Sequence, residues 1–359
     1  MSLAQLMHLR EYTRAVKREL PPEAFQPVPH RALWMIPHLA IITSGIAAIA
    51  LWISSGWLKL LVGLVIGHSF ACLGFLAHEI LHGAVTKKAW LRNTLGLICF
   101  LPFSLGPRLW RKWHNVEHHA HTQNDEDDPD AMGTLESLRE RPFLRAFYRI
   151  APWLRSLFTF LSFTFWFSFH GFSMFLRFLP EFKRSERLVV IAQLVGPLLF
   201  WAGLLVVLGP VNGLFAVVIP MLAANLIVMS YIATNHLLNP LTEINDPLAN
   251  SLSVQVPRIV DVLHFNFSHH TEHHVFPAMN AKYLPLVKQQ LKQKGPERYN
   301  EMPHWKALRT LWKTPRLYRD AEASPLIDPV RDYTFPTLGR GLDPDNVVPE
   351  LQKGSRLKQ

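Results

Sequence analysis

The chain has 359 residues, is 49% hydrophobic, contains 23 Phe and 11 Trp, and carries a formal net charge of +10. That length allows one large domain or two. The basic excess argues for membrane topology rather than nucleic acid, because it flanks long charge-free stretches. The two cysteines, Cys72 and Cys99, lie in no CxxC or zinc-type spacing and exclude a disulfide scaffold. They read as small buried apolar residues.

Residues 1–33 read as a polar, partly helical lead-in with no secretory signal. No Asp, Glu, Lys or Arg occurs from Ala32 to Leu58, from Leu60 to Ala77, or from Leu188 to Thr242. A spanning helix needs ~20 apolar residues. The first two stretches flank the turn Ser54-Ser55-Gly56, and the third is broken at Gly209-Pro210. The expected spans are therefore about 34–53, 58–77, 188–208 and 211–233. Arg10, Arg14, Lys17 and Arg18 precede the first span, and Lys87, Lys88, Arg92, Arg108, Arg111 and Lys112 follow the second. The short hairpin turns carry only Lys59. The positive-inside rule then puts both termini on the cytoplasmic face.

Two apolar segments between the second and third spans are ambiguous. Thr94 to Pro107 is short and reads as re-entrant or interfacial. Ser156 to Leu176 is uncharged, Phe-rich and long enough to span. If it crossed, the histidines at 270–274 would emerge opposite those at 78–82, so an interfacial placement is expected, conditional on one shared site. From about 275 a soluble cap follows, with a helical pattern near Tyr283–Lys292 and a Pro-rich, irregular tail. The fold class is all-α: an integral membrane protein of four transmembrane helices with a cytoplasmic, His-rich helical cap and interfacial helices.

Nine of the eighteen histidines fall in four tight places just after or between the apolar stretches: His78 and His82; His114, His118 and His119; His236; and His270, His273 and His274. Imidazole is a metal ligand and is otherwise disfavoured near lipid. At i and i+4, His78 and His82 share a helix face, as do His114 and His118. His119 points about 100° away on a continuing α-helix, so adjacent histidines could serve different ions. His270, His273 and His274 form one dense face. Singly, His78 to His82 matches HExxH, and His114 to His118 and His269 to His273 match HxxEH. A zinc protease needs about three protein ligands; this chain offers more than one ion can hold. All-imidazole ligation suits iron, zinc or copper.

The order and spacing resemble the integral-membrane fatty acid desaturase and hydroxylase superfamily. The resemblance runs from about 34 to 290 and includes Phe276-Pro277 after the last box and Asp128-Pro129-Asp130 after the second. It implies a di-iron centre (Fe2+/Fe3+) with the nine histidines as ligands, O2 as co-substrate, and a fatty acyl substrate linked to lipid, CoA or ACP. The organisation it implies is a lead-in at 1–33, a desaturase domain at 34–290 and a C-terminal tail at 291–359. Family members that fuse a cytochrome-b5-like domain carry His-Pro-Gly-Gly. That motif is absent, so a separate ferredoxin- or cytochrome-b5-type donor is expected, with no nucleic-acid partner.

The expected activity is O2-dependent insertion of a cis double bond. An alternative is a hydroxylase or ketolase of carotenoid or sphingoid type; a membrane HExxH zinc protease and a metal transporter are further readings. Glu79, Glu117 and Glu272 sit inside the boxes and either orient ligand rings or are simply solvated. Asp125 to Asp128 reads as a solvated loop. His121, His264 and His269 read as neighbours of the site, with a one-residue slip from His270 to His269 left open. His38 and His68 read as hydrogen-bonding residues within spans, and His8, His30, His170 and His304 as ordinary.

Overall fold

The computed structural model describes residues 6–296, 298–314 and 317–318, and the backbone of 326–328 and 333–335. The protein is mostly helical, and among the described residues three helices are long and apolar enough to cross a membrane: Pro29–Leu51, Gly56–His82 and Arg184–His236. The first two form the expected hairpin. Gly56–His82 is the central helix, and its second half is almost wholly buried. Its small residues let neighbours close in. A Cβ on Gly63 would sit 2.5 Å from the Phe215 carbonyl oxygen, so glycine is what permits this backbone approach. The helix stops at Gly83, whose left-handed φ of +85° turns the chain back.

The third apolar helix runs 53 residues, about 80 Å if straight, and is too long for one ~30 Å crossing. Gly209 breaks it, with non-helical φ 71° and ψ 173° immediately before Pro210. Val206 and Val207 beside the break are more than four-fifths exposed, which suits lipid rather than water.

The Phe-rich segment is not one helix. It folds as Pro152–Ser162 and Trp166–Phe178, each under ~20 Å long and too short to span. In the second, Phe167, Gly171, Met174 and Phe178 face inward at helical spacing, with Phe167 packed 5.2 Å from Phe103. Phe165, Phe169, Phe172 and Leu176 face outward with no covering layer among the described residues. Ala89–Phe103 is likewise apolar but short.

The remaining elements gather at the end of the bundle that carries the histidines. The N-terminal helix Leu9–Lys17 lays Tyr12 and Val16 against Val287 and Leu291 of helix Leu284–Lys294. The Tyr12 hydroxyl donates to Asp246 at 2.9 Å, and Asp246 caps helix Pro247–Asn250. Two short ladders depart from an all-helical chain: Ser253–Gln255 pairs in parallel with Glu301–Pro303, and Leu326–Asp328 pairs antiparallel with Tyr333–Phe335. Most of the Pro-rich tail lies outside the described residues.

Candidate metal centre

All nine boxed histidines converge, and they do so as two groups. In the first, ligand-capable atoms of His78, His82, His114, His119 and His273 all lie within 4.8 Å of one another. Nε2 of His114 is 3.2 Å from that of His78 and 3.2 Å from that of His119, which is 3.2 Å from that of His273. In the second, atoms of His118, His236 and His274 meet the same limit. His270 joins them, with its Nε2 2.7 Å from His236 and 3.1 Å from His274. The groups touch where the rings of His119 and His274 stack at 4.4 Å.

Local backbone geometry makes this division. His78 and His82 end the central helix, one turn apart. Arg111–His118 is π-helical rather than α-helical. Its i→i+5 register stacks residues five apart, which brings His114 over His119 and leaves His118 to the second group. An α-helical reading instead pairs His114 with His118; those rings do stack at 5.1 Å and share a further set with Asp130, but His114 lies with the five and His118 with His236 and His274. His236 is the last residue of helix Ile219–His236, and helix His270–Val275 sends His270 and His274 to one group and His273 to the other. His269 turns away toward Asp261 at 3.5 Å, so the register does not slip.

Two observations fit a cation. Facing nitrogens crowd within 2.7–3.2 Å of each other. The Nε2 of His82 is buried with no hydrogen-bond partner, although an orphaned buried acceptor costs about 1–3 kcal/mol. Burial, followed by the neighbouring imidazoles, holds His114, His119, His270, His273 and His274 well below the usual histidine range. Neutral rings keep a lone pair available for a metal.

The outer contacts correct two expectations. Asp128 is not in a solvated loop. It is 5% exposed and accepts from His118 Nδ1 at 2.9 Å and from the Gln123 N–H at 2.7 Å. Burial opposes a charge on His118, but Asp128 overrides it and pushes His118 up to about 9, so ligation would displace a proton from Nε2. The acidic residues inside the boxes, by contrast, do not bond the clustered rings. Glu79 pairs with Arg31 at 2.6 Å, Glu117 with Lys112, and Glu272 accepts from Ser253 at 2.7 Å and from Tyr299. The ring-orienting partners are Asp128, the Asn250 carbonyl, which accepts from His236 Nδ1 at 3.1 Å, and Thr122, 3.3 Å from His274 Nδ1. Asp130 links His118, at 3.5 Å, to His170, at 2.8 Å, so His170 is not an isolated residue. The signal for Asp128 in sequence is its place in Asp128-Pro129-Asp130 after the second box; nothing there marks Asn250 or Thr122.

Away from the nine, His264 lies 3.2 Å from His68 and 2.9 Å from the Tyr231 hydroxyl, as hydrogen-bonding histidines among helices should. His304 donates to the Ser230 carbonyl at 3.1 Å, and His121 is half-exposed near Asp127. A pocket lined by Phe75, Phe267, Met279 and Leu284 reaches His78 and His273 of the first group and His270 of the second.

The fatty acid desaturase family model matches residues 55–306, more than half of the chain. Among curated proteins, the chain is 26% identical to an sn-1 oleoyl-lipid 12-desaturase of Picosynechococcus, over 77% of this chain and 80% of that protein. It is 23% identical to the chloroplastic omega-6 fatty acid desaturase of spinach, over 69% of this chain and 57% of that one. An sn-1 linoleoyl-lipid 6-desaturase of Arthrospira platensis matches at 27% over 40% of each chain. Together with the three apolar helices and the clustered histidines, these matches mean that the chain belongs to the fatty acid desaturase family, a membrane oxidoreductase acting on fatty acyl chains with iron and O2.

Proposed function

We propose that this protein inserts a cis double bond into the acyl chain of a membrane lipid, using two irons, O2 and electrons from a separate carrier. The observation that carries this reading is the sorting of nine imidazoles into two adjoining groups beside a pocket walled in part by apolar side chains. His78, His82, His114, His119 and His273 would hold one iron, and His118, His236, His270 and His274 the other. Iron supplies, when bound, the O2-derived oxidising power that an unactivated C–H bond requires and that no side-chain base can replace. The protein's part is positional. Asp128 and the Asn250 carbonyl hold the Nδ1 protons of His118 and His236, which turns each Nε2 lone pair inward. Phe75, Phe267, Met279 and Leu284 give the apolar part of the pocket beside the rings, where an acyl chain would be positioned.

The membrane placement belongs to the same reading. The break at Gly209 divides the third apolar helix into two limbs, each long enough to cross, which makes four crossings. The first crossing starts, and the second and fourth end, at the histidine-bearing side, where the flanking basic residues indicate the cytoplasmic face. The names of the relatives support a lipid-linked acyl substrate.

The test is expression in a host with a competent electron donor, followed by mapping of double bonds in its lipids and iron analysis of the purified chain. New unsaturation with about two irons per chain supports the reading. Products that gain oxygen would instead mark hydroxylation at the same centre, and a zinc-loaded, iron-free protein would overturn it.

A further inference from the structure

The end of the central helix carries a second polar feature that the metal centre does not use. A methyl group placed on Gly83 would lie 3.6 Å from Arg92 Nη1 and 3.7 Å from Lys87 Nζ, so these two cations flank the helix terminus. Arg111 stands close enough to Arg92 that burial and the Arg92 charge both lower its pKa. The Nε atoms of Arg92 and Arg111 are buried without a hydrogen-bond partner. Among the described residues none of the three has an ion pair, although their neighbours do: Arg108 pairs with Glu186, and Lys112 with Glu117 and Glu181. The helix terminus itself offers only about half a negative charge, too little to balance three cations.

We propose that Lys87, Arg92 and Arg111 form a binding site for the phosphate of an anionic membrane lipid, seated beside the metal-bearing end of the central helix. Guanidinium groups grip phosphate oxygens in paired hydrogen bonds, and an ammonium adds a point charge. A lipid is the occupant because of what surrounds the cations. Trp90, on the same short apolar helix as Arg92, is 68% exposed, as an aromatic side chain at headgroup level is. Three cations without an ion pair among the described residues, beside an exposed tryptophan at the end of a membrane-entering helix, match a lipid phosphate at headgroup level. The inference rests on the membrane placement above, not on the reaction.

The test titrates the full-length, iron-loaded protein in detergent with dioleoylphosphatidylglycerol and with dioleoylphosphatidylcholine, reading bound lipid by native mass spectrometry. Wild type should favour phosphatidylglycerol by roughly tenfold or more, since each basic group near an anionic lipid contributes about fivefold. Arg92→Gln/Arg111→Gln should lose that preference while retaining iron. Arg10→Gln/Arg14→Gln, which removes two exposed charges elsewhere, should keep it. Equal loss in both double variants would reduce the effect to net charge and overturn the site. So would inorganic phosphate binding as tightly as the lipid, or unchanged lipid preference in Arg92→Gln/Arg111→Gln with slower reduction by an acidic electron carrier. No readout of lipid binding depends on turnover, so failure here leaves the desaturase reading standing, and failure of that reading appears in the lipid products instead.

Discussion

The two histidine groups are built by different means. Three rings of the four-membered group have fixed partners outside it: His118 on Asp128, His236 on the Asn250 carbonyl, and His274 near Thr122. The five-membered group relies on packing. Trp110 stacks on His114 at 4.4 Å and meets the edges of His78 and His82, while His119 Nδ1 is buried with no hydrogen-bond partner. Hydrogen bonds aim a ring and set its tautomer; packing restricts its angle but leaves the proton free to choose a nitrogen. One half of the centre is therefore oriented electrostatically and the other sterically.

That contrast can be broken most forcefully by removing a ring. His118→Ala should abolish desaturation and lower iron toward one per chain, whereas loss of all iron would show that the groups do not load separately; metal analysis decides between them. Asp128→Asn keeps the shape but weakens the grip on His118, and should cost about 10–100-fold in iron affinity, read by chelator competition. Trp110→Leu removes the stacking surface of the other group, and a roughly 2–10-fold weaker affinity is expected from the aromatic contact alone. If Trp110→Leu harmed iron binding more than Asp128→Asn, the assignment of steric and electrostatic halves would be reversed. Glu117→Gln, which leaves Lys112 paired with Glu181, should change activity and melting temperature little, because ion pairs open to solvent contribute about 0–1 kcal/mol.

Acid provides a graded version of the same comparison. His114, His119, His270, His273 and His274 have folded-state pKa values depressed by burial. Their neutral state is favoured above the unfolded value of about 6.5, and the associated stability is lost as pH falls below it toward the folded values. His118 runs the other way: Asp128 raises it to about 9, so its contribution is present below about 6.5 and lost as pH rises through 9. Iron-free protein should therefore melt at progressively lower temperature below about pH 6.5, and Asp128→Asn should flatten the alkaline limb without altering the acidic one. Scanning calorimetry across pH 5–10 would show whether the two limbs separate in this way.

Much of this architecture was legible before any coordinates. Charge-free runs located the apolar helices and the Gly209 break, because lipid tolerates neither charges nor unpaired backbone. The nine histidines stood out because imidazole is rare at membrane exits without a metal to hold. The parity argument expects 156–176 not to cross, and the turn between Ser162 and Trp166 leaves two helices too short to do so. Asp128 is the residue that departs from expectation, and the open choice for the box glutamates resolves to ion pairs and hydrogen bonds away from the rings. A helix points adjacent side chains in different directions, so a residue in the following loop reaches the ring that a glutamate next to a ligand does not.

Sequence alone thus determined which side chains could ligate metal and which segments are apolar enough to cross a membrane, since both follow from composition and short-range periodicity. Only the tertiary structure decided how nine rings divide into five and four. That division depends on a π-helical register at Arg111–His118 and on the meeting of four separate segments, and neither the i→i+5 hydrogen bonding nor the long-range packing leaves a local pattern to read.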